Sequence, residues 1–322
     1  MEFFESLDAV PSGFGPSAVA IGKFDGVHAG HRRVIERLRA VAAERALVAT
    51  AVTFDRHPLS LIRPQDCPEA LLSNSQKVDR LAETGLDATL MVAFDRPFSE
   101  QTPEQFVERI LVGALGARVV MVGADFRFGA RGSGTVETLT ELGARHGFEV
   151  QRIEDVLTPL DPASGGTRRA SSTWVRELLA AGDVVEAGLV LGHEPTIRSI
   201  VVRGAQRGRA MGYPTANLSP AIEGFIPRDG VYAAWLTVDG ARYGAAVSIG
   251  NNPTFEGVPE KQVEAHVLDE DLDLYGSTVE LSFVRYIRPM TKFDGMASLV
   301  TQMNRDEEQI RSILGYPAKA GD

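Results

Sequence analysis

Apolar and polar positions along the chain change rhythm once, near residue 190. Before that point, short apolar runs at 17–21, 47–54, 89–94, 118–122 and 149–153 alternate with stretches at 31–44, 75–84, 103–115 and 136–146 whose apolar positions recur every three to four residues. The runs predict strands and the stretches predict helices. Thr102 before Pro103 marks one helix start, an N-cap followed by proline at the first helical position. Strand and helix in regular succession imply a parallel sheet covered on both faces, with ligands at the carboxyl ends of its strands. The first, second and fourth of these strands run out into GKFDGVHAGH (22–31), TFDRHP (53–58) and GADFRFG (123–129). All three are expected at one rim.

Two further helices are predicted at 173–181 and 184–191, ending at Gly182 and Gly192. Beyond them, strand-like runs at 196–203, 230–238, 242–249, 262–268 and 278–286 follow one another with glycine-containing turns and no helix between. That spacing predicts a small antiparallel barrel or sandwich. Asp294 is expected to cap a final amphipathic helix over 295–314, whose Leu299, Met303, Ile310 and Leu314 would pack on the barrel. The expected fold class is therefore α/β plus β: a parallel-sheet domain over 1–188 and a β-barrel domain with a terminal helix over 189–322.

A chain of 322 residues is comfortable for two such domains, and 44% hydrophobic with 24% charged residues is ordinary for a globular protein. A net charge of −10 argues against a general nucleic-acid or anionic-membrane binder, so any phosphate binding must be local. One cysteine, Cys67, excludes an intramolecular disulfide and a cysteine-based zinc cluster, and fits a reducing compartment. The segment MEFFESLDAV lacks the basic flank and apolar core of a signal peptide, and no apolar run is long enough to span a bilayer. The expected location is cytoplasmic.

Candidate chemistry concentrates in three stretches. In 22–31, Gly22, Gly26 and Gly30 let the backbone bend close to a ligand at the mouth of a helix, and His28 and His31 can both reach one anion. By itself the same stretch is also readable as a plain turn. In 168–176, hydroxyls and N–H groups of Ser171, Ser172 and Thr173 at a helix start, with Arg169 before and Arg176 one turn in, form either a second anion site or an N-cap with solvated arginines. In 204–217, Gly204, Gly208 and Gly212 allow a backbone to approach phosphates, though no Walker Gly-Lys-Ser/Thr follows. Thr215 and Asn217 alternate, so in an extended segment their oxygens face one way and suit a magnesium ion shared with ATP; a turn into a strand is the other reading.

The pattern G-x-F-D-G-x-H-x-G-H at 22–31 resembles the amino-terminal module of bacterial bifunctional riboflavin kinase/FAD synthetases. The resemblance implies a Rossmann-like nucleotidyltransferase domain in which His28 and His31 bind ATP phosphates and stabilise charge as pyrophosphate leaves. Phe24 and Asp25 would belong to the same ATP site. The 168–176 stretch resembles that family's I-S-S-T-x-[IV]-R, which completes the phosphate site, with Ala170 in place of isoleucine. The 204–217 stretch resembles G-x-x-x-G-R-x-x-G-x-P-T-A-N of riboflavin kinases, and further similar segments follow in order at 229–233, 248–255, 263–266 with 274–276, and 287–288 with 292–293.

That second resemblance implies Glu264 as the base that takes the proton of the riboflavin 5′-hydroxyl, a role consistent with phosphoryl-transfer chemistry. It implies Gly204, Gly208, Gly212, Pro214, Asn251 and Arg288 in ATP or flavin binding, and Thr215 and Asn217 on Mg2+; His266 is expected to be structural. ATP would be a substrate, and FMN and FAD products rather than prosthetic groups. The implied partners are riboflavin, FMN and ATP, with no nucleic acid and no membrane, in a monomer or weak homo-oligomer.

Two positions depart from the family pattern. Asp125 stands where the family carries asparagine, and Arg56 where T-F-D-P-H-P has proline. An ionised carboxylate cannot donate to phosphate, so Asp125 would need magnesium or a cation such as Arg56 or Arg127 beside it. The alternative function is a riboflavin kinase whose amino-terminal domain is weak or degenerate and serves as a scaffold or ATP-binding regulator. A non-catalytic flavin sensor is a further class, against which Glu264, Thr215 and Asn217 argue.

Overall fold

In the computed structural model, which describes residues 1–154, 157–159, 166–204, 213–250 and 261–317, the amino-terminal sheet is parallel throughout. Its elements are β1 (Glu2–Phe4), β2 (Ser17–Ile21), α1 (Ala29–Arg45), β3 (Val48–Phe54), α2 (Asn74–Ala82), β4 (Ala88–Val92), α3 (Pro103–Phe106), β5 (Ala117–Gly123), α4 (Val136–His146) and β6 (Glu149–Ile153). Six strands lie in the order β1-β4-β3-β2-β5-β6. The order reverses between β2 and β5, and such a reversal opens a crevice beyond the carboxyl ends of those two strands. The rim expected from the three motif-bearing strands is present, since β3, β2 and β5 are neighbours running the same way.

Alternation along each strand sets the two faces. Ala18, Ala20, Ala49, Ala51, Val119 and Met121 pack with Ile35, Leu38 and Val41 of α1, while Val19, Ile21, Val52, Leu90, Val120 and Val122 pack with the helices of 103–114 and α4. Alanines on the α1 side leave room for that helix to lie close to the sheet.

Three details of this unit depart from expectation. The strand β1 precedes the predicted first strand and extends the sheet beyond β4. The helix expected over 103–115 is α-helical only to Phe106 and then a π-helix over Val107–Ala114. Gly113 fits the wider turn, because a Cβ there would sit 2.9 Å from the carbonyl of Glu108. A small antiparallel pair, β7 (Leu157–Pro159) and β8 (Thr167–Arg169), was not predicted either.

The carboxyl-terminal unit opens with α5 (Ser172–Ala181) and α6 (Val184–Leu191) and continues with β9 (Thr196–Val202), β10 (Ala216–Leu218), β11 (Gly230–Val238), β12 (Ala241–Gly250), β13 (Gln262–Val267), β14 (Thr278–Arg288) and α7 (Met296–Leu314). The strands close into an antiparallel barrel in the order β10-β13-β12-β11-β14-β9. The three-residue β10 completes it and was too short for the pattern to announce.

The two compact units are Met1–Ser171 and Ser172–Asp322, a division earlier in the chain than the expected 188/189. The difference has a physical origin: α5 bonds to the segment between barrel strands β10 and β11, where Arg228 N–H donates to the Leu179 carbonyl at 3.0 Å. Asp294 does not cap the terminal helix. The chain stays extended through Gly295, which occupies the cap position, and the helix begins at Met296. Its packing face is as expected for Leu299, Ile310 and Leu314, all buried. Among the described residues, no helix is long and apolar enough to cross a membrane.

Candidate functional site

Beyond Ile21 the chain turns through a strained loop. Phe24 and Val27 adopt left-handed φ of 49° and 41°, alongside Gly26 at 82°. A β-branched residue pays heavily for that conformation. It persists because both side chains are locked in the core, Phe24 at 2% exposure and Val27 at 0%. The Asp25 carboxylate pins the loop by accepting from Leu71 N–H at 2.9 Å. Gly22 matters for space: a Cβ there would meet the Phe24 ring at 3.3 Å.

The loop delivers the two histidines as a stack, with ring centroids 3.7 Å apart and 22° between planes. Phe24 leans on His31 at 5.1 Å. Gly30 carries no Cβ, and one there would press on the His28 ring at 3.0 Å. Both Nδ1 atoms are buried with no partner among the described residues. Burial first, then the charge of Arg169, lowers the His28 pKa to about 4. Burial, with His28, Lys23 and Arg169 in turn, holds His31 well below its ordinary value. Both rings are therefore neutral at pH 7.

Arg169 belongs beside this stack, as its effect on both imidazoles requires. Its Nη1 donates to Asp125 Oδ2 at 3.3 Å. The cation facing Asp125 is thus Arg169, not Arg56. Arg56 donates instead to Asp55 Oδ2 through Nε at 3.0 Å and Nη2 at 2.7 Å. Burial works to raise the Asp55 pKa, but bonds from Arg56 and from Phe94 N–H hold it below the ordinary value.

Other residues at the strand ends escaped the sequence reading. Lys77 is buried at 6% exposure and donates to the Phe54 carbonyl at 2.8 Å. Asn74 Nδ2 donates to the Asp55 carbonyl at 2.8 Å, and Lys23 Nζ lies 3.1 Å from His57 Nε2. Lys77 sits in an amphipathic helix, where a lysine usually reads as solvated. His57 lay inside a quoted motif and signalled nothing by spacing. Ser171 ends this unit, while Ser172, Thr173 and Arg176 lie in the first turns of α5 in the other.

In the barrel unit, strand pairing assembles the second set. Asn217 lies opposite Glu264 between β10 and β13, and Ser248 of β12 flanks Glu264 on the other side. Thr215 Oγ1 donates to Glu264 Oε2 at 3.4 Å, and Asn217 Nδ2 donates to the Thr215 carbonyl at 3.3 Å. Gly204 is required for this arrangement, since a Cβ there would fall 2.3 Å from Asn217 Oδ1. His266, two residues along β13, donates from Nδ1 to the Pro214 carbonyl at 2.8 Å. A cavity of about 370 Å³ opens beside Thr215, lined by Val201, Arg203, Pro214, Ala265 and Tyr275 among others. The Arg203 guanidinium lies over the Tyr275 ring at 5.5 Å.

Arg288 ends β14 and is gripped by Asp306 of α7, with Nε donating at 2.8 Å and Nη2 at 2.7 Å. Gly208, Gly212 and Asn251 lie outside the described residues.

Known proteins divide along the same lines. A family model for FAD synthetase matches residues 12–164, and one for riboflavin kinase matches residues 191–314. The chain is 35% identical over 299 residues to the bifunctional riboflavin kinase/FMN adenylyltransferase of Listeria monocytogenes, covering 92% of each. It is 35% identical over 303 residues to the protein of that name from Escherichia coli, covering 94% of each. A crystal structure described as a macrolide-efflux protein from Streptococcus pneumoniae superposes with a TM-score of 0.83 at 30% identity, covering 96% of this chain and 98% of that one.

Proposed function

The chain belongs to the bifunctional riboflavin kinase/FMN adenylyltransferase family, and we propose that its described residues divide the two reactions between the two units. It phosphorylates riboflavin to FMN with ATP, and it adenylylates FMN to FAD with ATP, releasing pyrophosphate. The efflux description of the pneumococcal structure does not carry over, because the chain's motifs and both family matches are those of flavin-nucleotide synthesis.

The observation that carries the kinase assignment is the meeting of Glu264, Thr215 and Asn217 across β10 and β13. Glu264 accepts the proton of the riboflavin 5′-hydroxyl as that oxygen attacks the γ-phosphorus of ATP and the bond to the β-phosphate oxygen breaks. The cavity beside Thr215 is of a size for a small-molecule substrate. Magnesium fits the donor chemistry, because the Thr215 hydroxyl and the Asn217 carboxamide oxygen are hard oxygen ligands. Thr215 and Asn217 would then hold the ion, which offsets phosphate charge when bound.

In the first unit, a phosphate oxygen of FMN attacks the α-phosphorus of ATP, and pyrophosphate departs. The neutral His28 and His31 rings donate hydrogen bonds to phosphate oxygens at the crevice between β2 and β5, and Arg169 supplies the fixed positive charge beside them. Phe24, Asp25, Gly22, Gly26 and Gly30 shape the loop. The cytoplasm supplies ATP for both steps and is the location proposed.

Incubation of the purified chain with riboflavin, ATP and magnesium, followed by separation of riboflavin, FMN and FAD, tests both assignments. FMN and then FAD are expected. FMN without FAD would leave the first unit as a scaffold, and neither product would sink the reading.

A further inference from the structure

The terminal helix α7 meets the barrel through polar contacts as well as apolar ones. Asn304 Oδ1 accepts from the Tyr213 hydroxyl. Asp306 holds Arg288, and Gln302 Nε2 donates to the same carboxylate at 2.8 Å. Glu307 and Arg311 pair at 2.9 Å, and Arg311 also pairs with Asp269. Asp306, Glu307 and Arg311 are 5% exposed or less.

Apolar side chains of similar volume would hold a helix at least as firmly as buried ion pairs, which are weak evidence for stability. Polar contacts do fix how far a helix is rotated and shifted, because each has one geometry. Here they land on the segments that carry the kinase residues. Tyr213 immediately precedes Pro214 and Thr215, Arg288 ends β14, and Asp269 follows the strand bearing Glu264.

Tyr213 is the link nearest Thr215 in the chain. Its ring packs edge-on against His266 at 5.0 Å, and His266 bonds the Pro214 carbonyl. Burial, then the charge of Glu307 and a hydrogen bond to that same side chain, pushes its phenol pKa up to about 12, so the hydroxyl stays a donor at any working pH. Pro214 is thus held by β13 on one side while Tyr213 is held by α7 on the other, and Thr215 comes next in the chain.

We infer that Asn304 is a positioning residue for riboflavin phosphorylation, setting through the Tyr213 hydroxyl where Thr215 stands against Glu264. The inference rests on the kinase assignment of Thr215 and Glu264 above. Misplacement of reacting groups by about 1 Å can cost on the order of a hundredfold in rate, and loss of one tether is expected to cost about tenfold.

The test uses the full chain with Asn304→Ala, Tyr213→Phe and the double variant. Riboflavin phosphorylation (kcat, and KM for each substrate), ADP binding by calorimetry, and FAD formation from supplied FMN are measured on each preparation. Each single variant is expected to lower kcat for phosphorylation about tenfold with KM for riboflavin little changed and FAD formation intact. The double variant should be no worse than Tyr213→Phe, which removes the tie to Asn304 together with the hydroxyl's bond to Glu307. Wild-type kcat in Tyr213→Phe, or losses that multiply in the double variant, would overturn the inference. If Asn304→Ala fails to fold, Tyr213→Phe, which keeps the ring, decides alone. Thr215→Ala and Glu264→Gln are run in parallel. If they phosphorylate riboflavin normally, the kinase assignment itself falls and the inference with it; if they fail while the Asn304 and Tyr213 variants do not, only the inference falls.

Discussion

His28 and His31 stack face to face at 3.7 Å, an arrangement suited to two neutral imidazoles and hostile to two charged ones. The unfolded chain protonates His28 near pH 6.5, the folded chain only near pH 4. Between these values the unfolded state binds more protons, so stability falls as pH falls from about 6.5 and has lost its full increment below about 4. His31, lowered for the same leading reason, adds in the same sense. For His28 alone the loss at pH 5 is on the order of 2 kcal/mol. Denaturant unfolding of the first unit in the intact chain should show this slope, and His28→Gln should flatten it. An unchanged slope in a His28→Gln/His31→Gln variant would place the pH dependence elsewhere.

Gly30→Ala separates packing from chemistry. Gly30 is the second residue of α1 and has no left-handed φ, so the helix itself should tolerate alanine. The new Cβ nevertheless meets the His28 ring at 3.0 Å, and the ring must move by a few tenths of an ångström. FAD formation is expected to fall about tenfold, the scale of one charged hydrogen bond lost to phosphate, with riboflavin phosphorylation unchanged. Full FAD synthesis in this variant would mean that the position of His28 is not critical.

Legibility followed element length and the range of each interaction. The five long core strands of the first unit and the amphipathic α1 and α4 stood out because burial on one or both faces writes itself into the sequence. The strands β1 and β10 did not, having three residues each and depending on partners far along the chain. The histidine loop and the PTAN segment were visible as patterns of residue types. The Asp125–Arg169 and Arg56–Asp55 pairings were not, because a side chain's choice among nearby opposite charges is settled in three dimensions. Tyr213 and Asn304 were hidden for the same reason: the tie spans 91 positions. α5 and α6 carry an ordinary helical pattern that says nothing about which unit they join.

Glu264→Gln should abolish most FMN formation from riboflavin, because an amide cannot take the hydroxyl proton. The substitution keeps volume and can still accept from Thr215 Oγ1, so the barrel should unfold at nearly the same temperature. FAD formation from supplied FMN should continue, as its groups lie on the other unit. Chromatographic separation of the three flavins reads both outcomes in one reaction, and substantial FMN production would remove Glu264 from its role.

Asp125→Asn tests how far the family departure matters. The carboxylate does not stand unopposed, since Arg169 Nη1 lies 3.3 Å away; both groups remain substantially exposed, at 72% and 49% of their side chains. The pair therefore offsets the repulsion that an isolated carboxylate would exert on a triphosphate. It also occupies an arginine whose charge reaches the histidine stack, so incoming phosphate must compete with Asp125 for that guanidinium. Asparagine releases Arg169 and adds an amide donor. Exposed ion pairs are typically worth little, so the expected gain in FAD synthesis at limiting ATP is about two- to fivefold, largest at low ionic strength and fading as salt screens the competition. Initial rates across a salt series for the original chain and Asp125→Asn measure it. A variant that is unchanged or slower at every salt concentration would mean that Asp125 orients Arg169 for phosphate rather than withholding it.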